Sequence, residues 1–310
     1  MSYFSIISDS AFDMNEQLRT RFGIDAYISS GVVFPDGHLE SVDLDWKTLT
    51  PEEYYGSMAD KKLVYKSAAP GSEQVKQVFR KELDKGNDIL CITLSSGMST
   101  VYDQCCIAAT ELLNEYPGQT IRVIDSKRYS TAIALYCIAA NEMRNRGRSL
   151  QETAEWIDDH LDRVHQTGWM DDLFFLARAG RLSKGTAFMG TMIGVKPIAD
   201  FNMKTGMFQV IGKARGASRA LNAIVEYMQQ TIEDPQEQIV FIANSLREEY
   251  AHKLADLITE RIKPKEIIFN SIGQSCGANI GPGLVATFYF GKPLSEQLTE
   301  ETDRLQRILK

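Results

Sequence analysis

ILCITLSSGMSTVYDQ, residues 89–104, decides how the chain is read. Its first four residues form a continuous apolar run, the kind that becomes a strand buried on both faces of a parallel sheet. Its last four open a helical pattern. Between them, three serines and two threonines surround one glycine. A strand passing through a short turn into a helix is the repeating joint of an α/β sheet. The N-terminus of such a helix offers unpaired backbone N–H groups and the positive end of its dipole, which suits an anion. A Ser or Thr there also caps a helix with no further role, and from this segment alone both readings stand.

The same joint recurs outward in both directions. FSIIS near the start and IRVID at 121–125 are further apolar strands, with helices of recognisable ends between. Thr50-Pro51-Glu52-Glu53 combines a capping box with proline at the first helical position. Gly86 closes a helix that begins about Ser72, and Ser149 with Glu152 opens another. AYISSGVVFPDGHLESV is an extended excursion turning at Pro35-Asp36-Gly37. Residues 1–167 therefore read as an N-terminal α/β domain with a mainly parallel sheet. Residues 168–310 have a different texture. A hairpin turns at Lys204-Thr205-Gly206, a helix starts about Ala217, and strands at QIVFIANS, EIIFNSI and LVATFYF follow, with a helix over Arg247 to Arg261 and another at the end. That order predicts a C-terminal α/β domain with a mixed sheet.

Composition narrows the function. The chain has 310 residues, enough for two domains and a large core. A net charge of −7 argues against a nucleic-acid backbone as partner. No apolar run is long enough for stable membrane insertion, and MSYFSIISDS lacks the basic and apolar regions of a signal peptide. Five cysteines, an odd number without metal spacing, fit a reducing cytoplasm. Adjacent Cys105 and Cys106 are expected to be packing residues.

Ligands of open α/β sheets bind at the carboxyl ends of strands. Five segments here end strands with small and polar residues: Asp9, Ser10 and Asp13; Lys66 and Ser67; the hydroxyl-rich joint; Asp125 and Ser126; and IGQSCGANIGPG. The acids and serines also serve as helix caps, and Lys66 equally as a solvated lysine. Gly273, Gly277, Gly281 and Gly283 let the backbone approach closely, either to a ligand or to the other domain. Catalytic signatures are missing: there is no GxxxxGK[ST] loop, no GxGxxG after the first strand and no GxSxG elbow. His38 lies beside a turn, and His160, His165 and His252 fall in helical stretches without metal spacing. Lacking a general base, the serines suit hydrogen bonding better than nucleophilic attack. Arg178 and Arg181 either fork onto a carboxylate or phosphate, or pair with Asp171 and Asp172.

ISDSAFD, SSGMST, VIDSK, FFLARAGRLS, KPI, KARG and IGPG occur in an order that resembles the DegV family of bacterial fatty-acid-binding proteins, over nearly the whole chain. The resemblance implies two α/β domains with a long-chain fatty acid between them, its carboxylate at serine-bearing loops and its tail in an apolar tunnel. It also implies, for some members, a partner fatty-acid kinase that phosphorylates the bound acid for phospholipid synthesis. Ser95, Ser96, Gly97 and Ser99 match the family's SSGLS loop, and Ser67 matches the serine of its TSQPS motif. Lys66 replaces the threonine of that motif, and Ala68-Ala69 replace Gln-Pro. Arg178 and Arg181 match the arginines of KRGGR, and Arg215 falls in KARG. Gly281 belongs to the terminal GPG, and Asn279 stands where the family usually carries histidine. Asparagine hydrogen-bonds but does not titrate near neutrality, which puts kinase coupling in question. Lys66 would compensate by pairing with the carboxylate.

Burying an acyl tail contributes about 0.8 kcal/mol per methylene, so the tunnel sets affinity while the loops set orientation. Phe174, Phe175, Phe188, Met189, Met192 and Met203 are expected along it, or in ordinary core. The expected protein is thus a cytoplasmic, non-enzymatic carrier with a bound fatty acid and with no cofactor or metal. Two alternatives stand: an enzyme of acyl or phosphoryl transfer using Lys66 or a serine at the interdomain cleft, or a binder of another amphipathic carboxylic acid.

Overall fold

The computed structural model describes residues 3–171, 173–183 and 194–310. The first part of the chain runs β1 (Phe4–Asp9), α1 (Glu16–Arg21), β2 (Ala26–Ile28), β3 (Gly31–Val33), β4 (Leu39–Ser41), α2 (Pro51–Ser57), β5 (Lys66–Ala68), α3 (Ser72–Leu83), β6 (Asp88–Thr93), α4 (Val101–Glu115), β7 (Ile121–Asp125), α5 (Thr131–Asn145) and α6 (Leu150–Asp159). The rest runs β8 (Val164–His165), β9 (Gly168–Met170), α7 (Phe174–Arg178), β10 (Val195–Asn202), β11 (Met207–Arg215), α8 (Ala217–Thr231), β12 (Ile239–Asn244), α9 (Glu248–Arg261), β13 (Glu266–Ser271), α10 (Gln274–Ile280), β14 (Leu284–Phe290) and α11 (Thr299–Leu309).

These elements form two α/β units. The first holds a four-stranded sheet in the order β2-β1-β6-β7, parallel throughout. The second holds a mixed sheet, β11-β10-β9-β14-β12-β13, with β8 also on β14; only β12 and β13 pair in parallel. A small antiparallel sheet, β4-β3-β5, accounts for the extended excursion. The capping boxes at Thr50 and Ser149 form as the sequence predicts. His165 is a correction: it lies in a strand, because it bonds across to β14 before the expected boundary at 167. IGQSCGANIGPG is a second correction, since most of it is the helix α10 and not a loop.

Strand alternation divides the core. On β14, Leu284, Ala286 and Phe288 face the first unit, while Val285 and Tyr289 face the layer of α8, α9 and α11. Phe241 and Ala243 on β12 alternate with Val240 and Ile242 in the same way. In the first sheet, Ile6, Leu90 and Ile92 point inward toward the second unit, and Ile7, Ile89 and Cys91 point to α3 and α4. The inward faces of both sheets therefore share one continuous core. Among the described residues, no helix is long and apolar enough to cross a membrane.

The hydroxyl-rich joint fastens the two units together. Ser95 Oγ donates to the Gly206 carbonyl at 2.8 Å, in the β10–β11 turn. Gly97 sits so close to that turn that a Cβ would overlap the Thr205 carbonyl oxygen. Gly97→Ala should therefore cost about 1–3 kcal/mol of stability. Gly56→Ala, on an open face of α2 with nothing near its Cβ, should instead gain about 0.5–1 kcal/mol. Urea denaturation of the two variants checks the contrast.

Candidate functional site

The site is assembled by α10, a helix of the second unit that packs on β3, β5 and the turn after β1 in the first. Its approach is possible because glycine stands at the contact points. A Cβ at Gly273 would overlap the Asp13 carboxylate, one at Gly277 the Tyr55 hydroxyl, and one at Gly281, where φ is +72°, the Phe175 ring. Tyr54 and Tyr55 on α2 donate to the carbonyls of Gln274 and Ile272 at 2.8 and 2.6 Å, holding the start of the helix. Gly273 and Gly277 thus serve contact between the units, whereas Gly281 and Gly283 admit Phe175 and Asp171 of their own unit.

Under α10 lies a polar cavity of about 20 Å³. Ser30, Ser67, Ser99, Tyr129, Ser275 and Asn279 line it with polar groups. Asn279 Nδ2 is 3.1 Å from Ser67 Oγ, 3.4 Å from the Tyr129 hydroxyl and 3.2 Å from the Ser275 carbonyl. Tyr129 in turn donates to the Cys276 carbonyl at 2.9 Å. Ser275 Oγ is buried without a hydrogen-bond partner. Tyr129 also borders a second cavity of about 10 Å³, walled by side chains such as Met170, Phe208, Ile280, Leu284, Ala286 and Phe288 in the shared core. A polar end and an apolar interior meeting at one tyrosine fit an amphiphile.

Of the expected contacts, the structure brings Ser67, Ser99 and Asn279 together. Ser95, Ser96 and Gly97 are engaged elsewhere: Ser95 and Gly97 on the hairpin turn, and Ser96 with Asp125, which accepts from its N–H at 3.0 Å, and with Lys127. Lys66 is exposed on β5, where alternation turns it away from its neighbour Ser67, and it is outside the cavity wall. Arg178 donates to the Lys61 carbonyl at 3.1 Å and lies over the rings of Phe174 and Phe175. Arg181 donates to the Ala179 carbonyl, and Arg215 is exposed at the end of β11. Asp171 pairs with Lys196 and Arg247 in place of Arg178 and Arg181. Gly281 packs on Phe175, and Met203 packs against the outer core of the second unit. Asp172, Phe188, Met189 and Met192 lie outside the described residues.

Sequence reading missed Ser30, Tyr129 and Ser275. Ser30 belongs to the excursion between β2 and β3, and Tyr129 follows VIDSK, a segment already singled out. Ser275 sits inside the glycine-rich stretch, whose glycines drew the reading and not its serine. Behind the cavity stand two buried acids. Asp9 accepts from the N–H groups of Ala11 and Leu94 at 2.9 and 2.7 Å; burial pushes its carboxyl up to about 6 against those bonds. Asp13 accepts from Ser130 at 2.5 Å, and burial pushes it up to about 7. No cluster of three or more His, Cys, Asp or Glu fit to hold a metal occurs among the described residues.

A model described as "Uncharacterised protein, DegV family" matches residues 3–292. A DegV domain-containing protein of Clostridium perfringens is 28% identical over 296 residues, spanning 94% of this chain and 98% of its own. Among solved structures, a DegV family protein of Thermus thermophilus, described by its fatty acid binding, superposes with a TM-score of 0.83 at 22% identity, over 94% of this chain and 100% of its own. One from Eubacterium eligens, loaded with heptadecanoic acid, gives 0.81 at 22% identity, over 93% and 100%. The fold is shared across both units.

The buried acids give a pH signature. A carboxyl whose folded pKa is raised stabilises fully below its unfolded value of about 3.9, and that stability is lost as pH rises through the folded value. Asp13→Asn should therefore gain stability relative to the parent chain between pH 4 and 7, with the gain levelling above about 7. Denaturation midpoints across that range measure it; parallel curves for the two proteins would refute it.

Proposed function

The chain belongs to the DegV family, and from that premise we propose that it binds one long-chain fatty acid between its two units. The head group takes the polar cavity, against Ser67, Ser99, Asn279 and Tyr129, and the tail takes the apolar core beyond Tyr129. The observation that carries this reading is the junction of the two cavities at a single side chain. The ligands of relatives support it: heptadecanoic acid in the Eubacterium eligens protein, and stearic acid in one from Eubacterium ventriosum.

Volume adds a condition. Ligand pockets usually measure roughly 300–1,000 Å³, whereas these cavities hold about 20 and 10 Å³. A tail enters only as core side chains such as Met170, Phe208 and Ile280 give way. Binding is thus coupled to loosening of the shared core, driven by about 0.8 kcal/mol per buried methylene. The role is that of a carrier, presenting the acid to a partner fatty-acid kinase for phospholipid synthesis, and exposed Arg215 is available to a phosphate on that partner. All five cysteines are free, which accords with the cytoplasm. The enzyme alternative depended on Lys66 or a serine at the cleft. Lys66 lies outside the cavity wall, and no histidine lines it.

Denaturing extraction followed by mass spectrometry tests the reading. A stoichiometric long-chain acid is expected; no lipid, and no uptake when one is supplied, would overturn it. Ala286→Leu places three extra carbons in the apolar cavity. It should shift the extracted acids to shorter chains while costing about 1–3 kcal/mol of stability.

A further inference from the structure

Among the described residues, every side chain lining the polar cavity is uncharged. Beside its six polar residues, the wall is Ala11, Ala68, Ala69, Leu94, Met98 and Cys276. Two acids stand behind it: Asp9 is bonded to the backbone of two wall residues, Ala11 and Leu94, and Asp13 to Ser130, next to Tyr129. A carboxylate in this place would lose part of its hydration, gain no cation from the described wall and face two acids. Groups in such surroundings take up a proton instead of staying ionised.

We propose that the polar cavity selects an uncharged, hydrogen-bonding head group, so that a fatty acid is held as its protonated acid and a neutral long-chain alcohol binds as well or better. This rests on the fatty-acid reading of the site and deepens it. The unpartnered Ser275 Oγ is a hydroxyl free to bond such a head group. A protonated carboxyl both donates and accepts, matching hydroxyls and an amide that do the same, whereas a carboxylate only accepts.

The groups around the cavity are accounted for on each packed element. The turn after β1 contributes Asp9 and Asp13, and α10 contributes Cys276, its thiol pushed up by burial. Tyr129, Tyr54 and Tyr55 are phenols pushed up by burial. After β7, Lys127 is paired with Asp125, and Arg128 is buried against the carbonyls of Lys127 and Leu161. On β5, Lys66 points to solvent, and on α7, Arg178 is held by the carbonyls of Lys61 and Leu63.

The test titrates the protein with decanoic acid and with 1-decanol, both below aggregation, from pH 6 to 8. Free carboxylic acids ionise at roughly pH 4–5. Binding of the neutral form therefore weakens the acid's apparent affinity about tenfold per pH unit. Titration of Asp9 and Asp13 acts on both ligands, so the decanol series corrects for it. The expected result is this tenfold slope in the ratio of the two affinities. An acid affinity independent of pH, with decanol at least tenfold weaker, overturns the proposal and leaves the fatty-acid reading intact. Failure of both ligands, and of tetradecanoic acid and 1-tetradecanol, overturns that reading and this one together. Ser275→Ala should weaken acid and alcohol alike by about two- to tenfold; unchanged binding of both would remove the head group from this cavity.

Discussion

The aromatic ring of Tyr129, at the end of the first parallel sheet, lies 5.3 Å from Phe208 and 6.2 Å from Phe201 of the second sheet. Around that contact the inward faces of the two sheets form one core, and the placement of everything else follows from it. A core shared between units is stabilised only while both stay in register, so the chain fastens it at its edges. Ser95 and Gly97 hold the β10–β11 turn, Tyr54 and Tyr55 hold the start of α10, and Arg21 pairs with Glu266. The apolar attraction is non-directional; these polar and steric fasteners set the direction.

The same arrangement explains why polar and apolar cavities meet there. Where strand ends, α10 and Tyr129 meet, the core passes from apolar to polar within one side chain. The packing is close enough that the cavities are small, and a ligand competes with the protein's own side chains for space. Affinity is then the difference between two burials, that of the ligand tail and that of the core it displaces. For the proposed carrier role this balance would let the cargo be held without making release prohibitive.

The glycine-rich segment shows how one feature serves both ends. Gly273 and Gly277 let α10 lie against Asp13 and Tyr55, and that approach places Ser275 and Asn279 over the cavity. The same close packing that fits the two units together thus brings Asp9 and Asp13 behind the cavity, the arrangement on which the proposed neutral head group rests.

Much of this was legible in residue order. Apolar runs with hydroxyl-rich ends specify a parallel sheet because buried strands need no alternation, and Thr50 and Ser149 mark helix starts by local hydrogen bonding alone. Ser67, Ser99 and Asn279, which line one cavity, could be named together because strand ends and the family pattern both point to them. Local rules fail where the decision is long-range. Nothing near Ser95 in the chain says that its hydroxyl is taken by Gly206, and nothing near Lys66 says which side of its strand faces α10. Nothing near Ser275 or Tyr129 says that they meet. Backbone periodicity and capping act over a few residues and belong to the sequence. Which hydroxyls are consumed in joining the units, and which are left facing a cavity, is settled only when segments more than a hundred residues apart pack together.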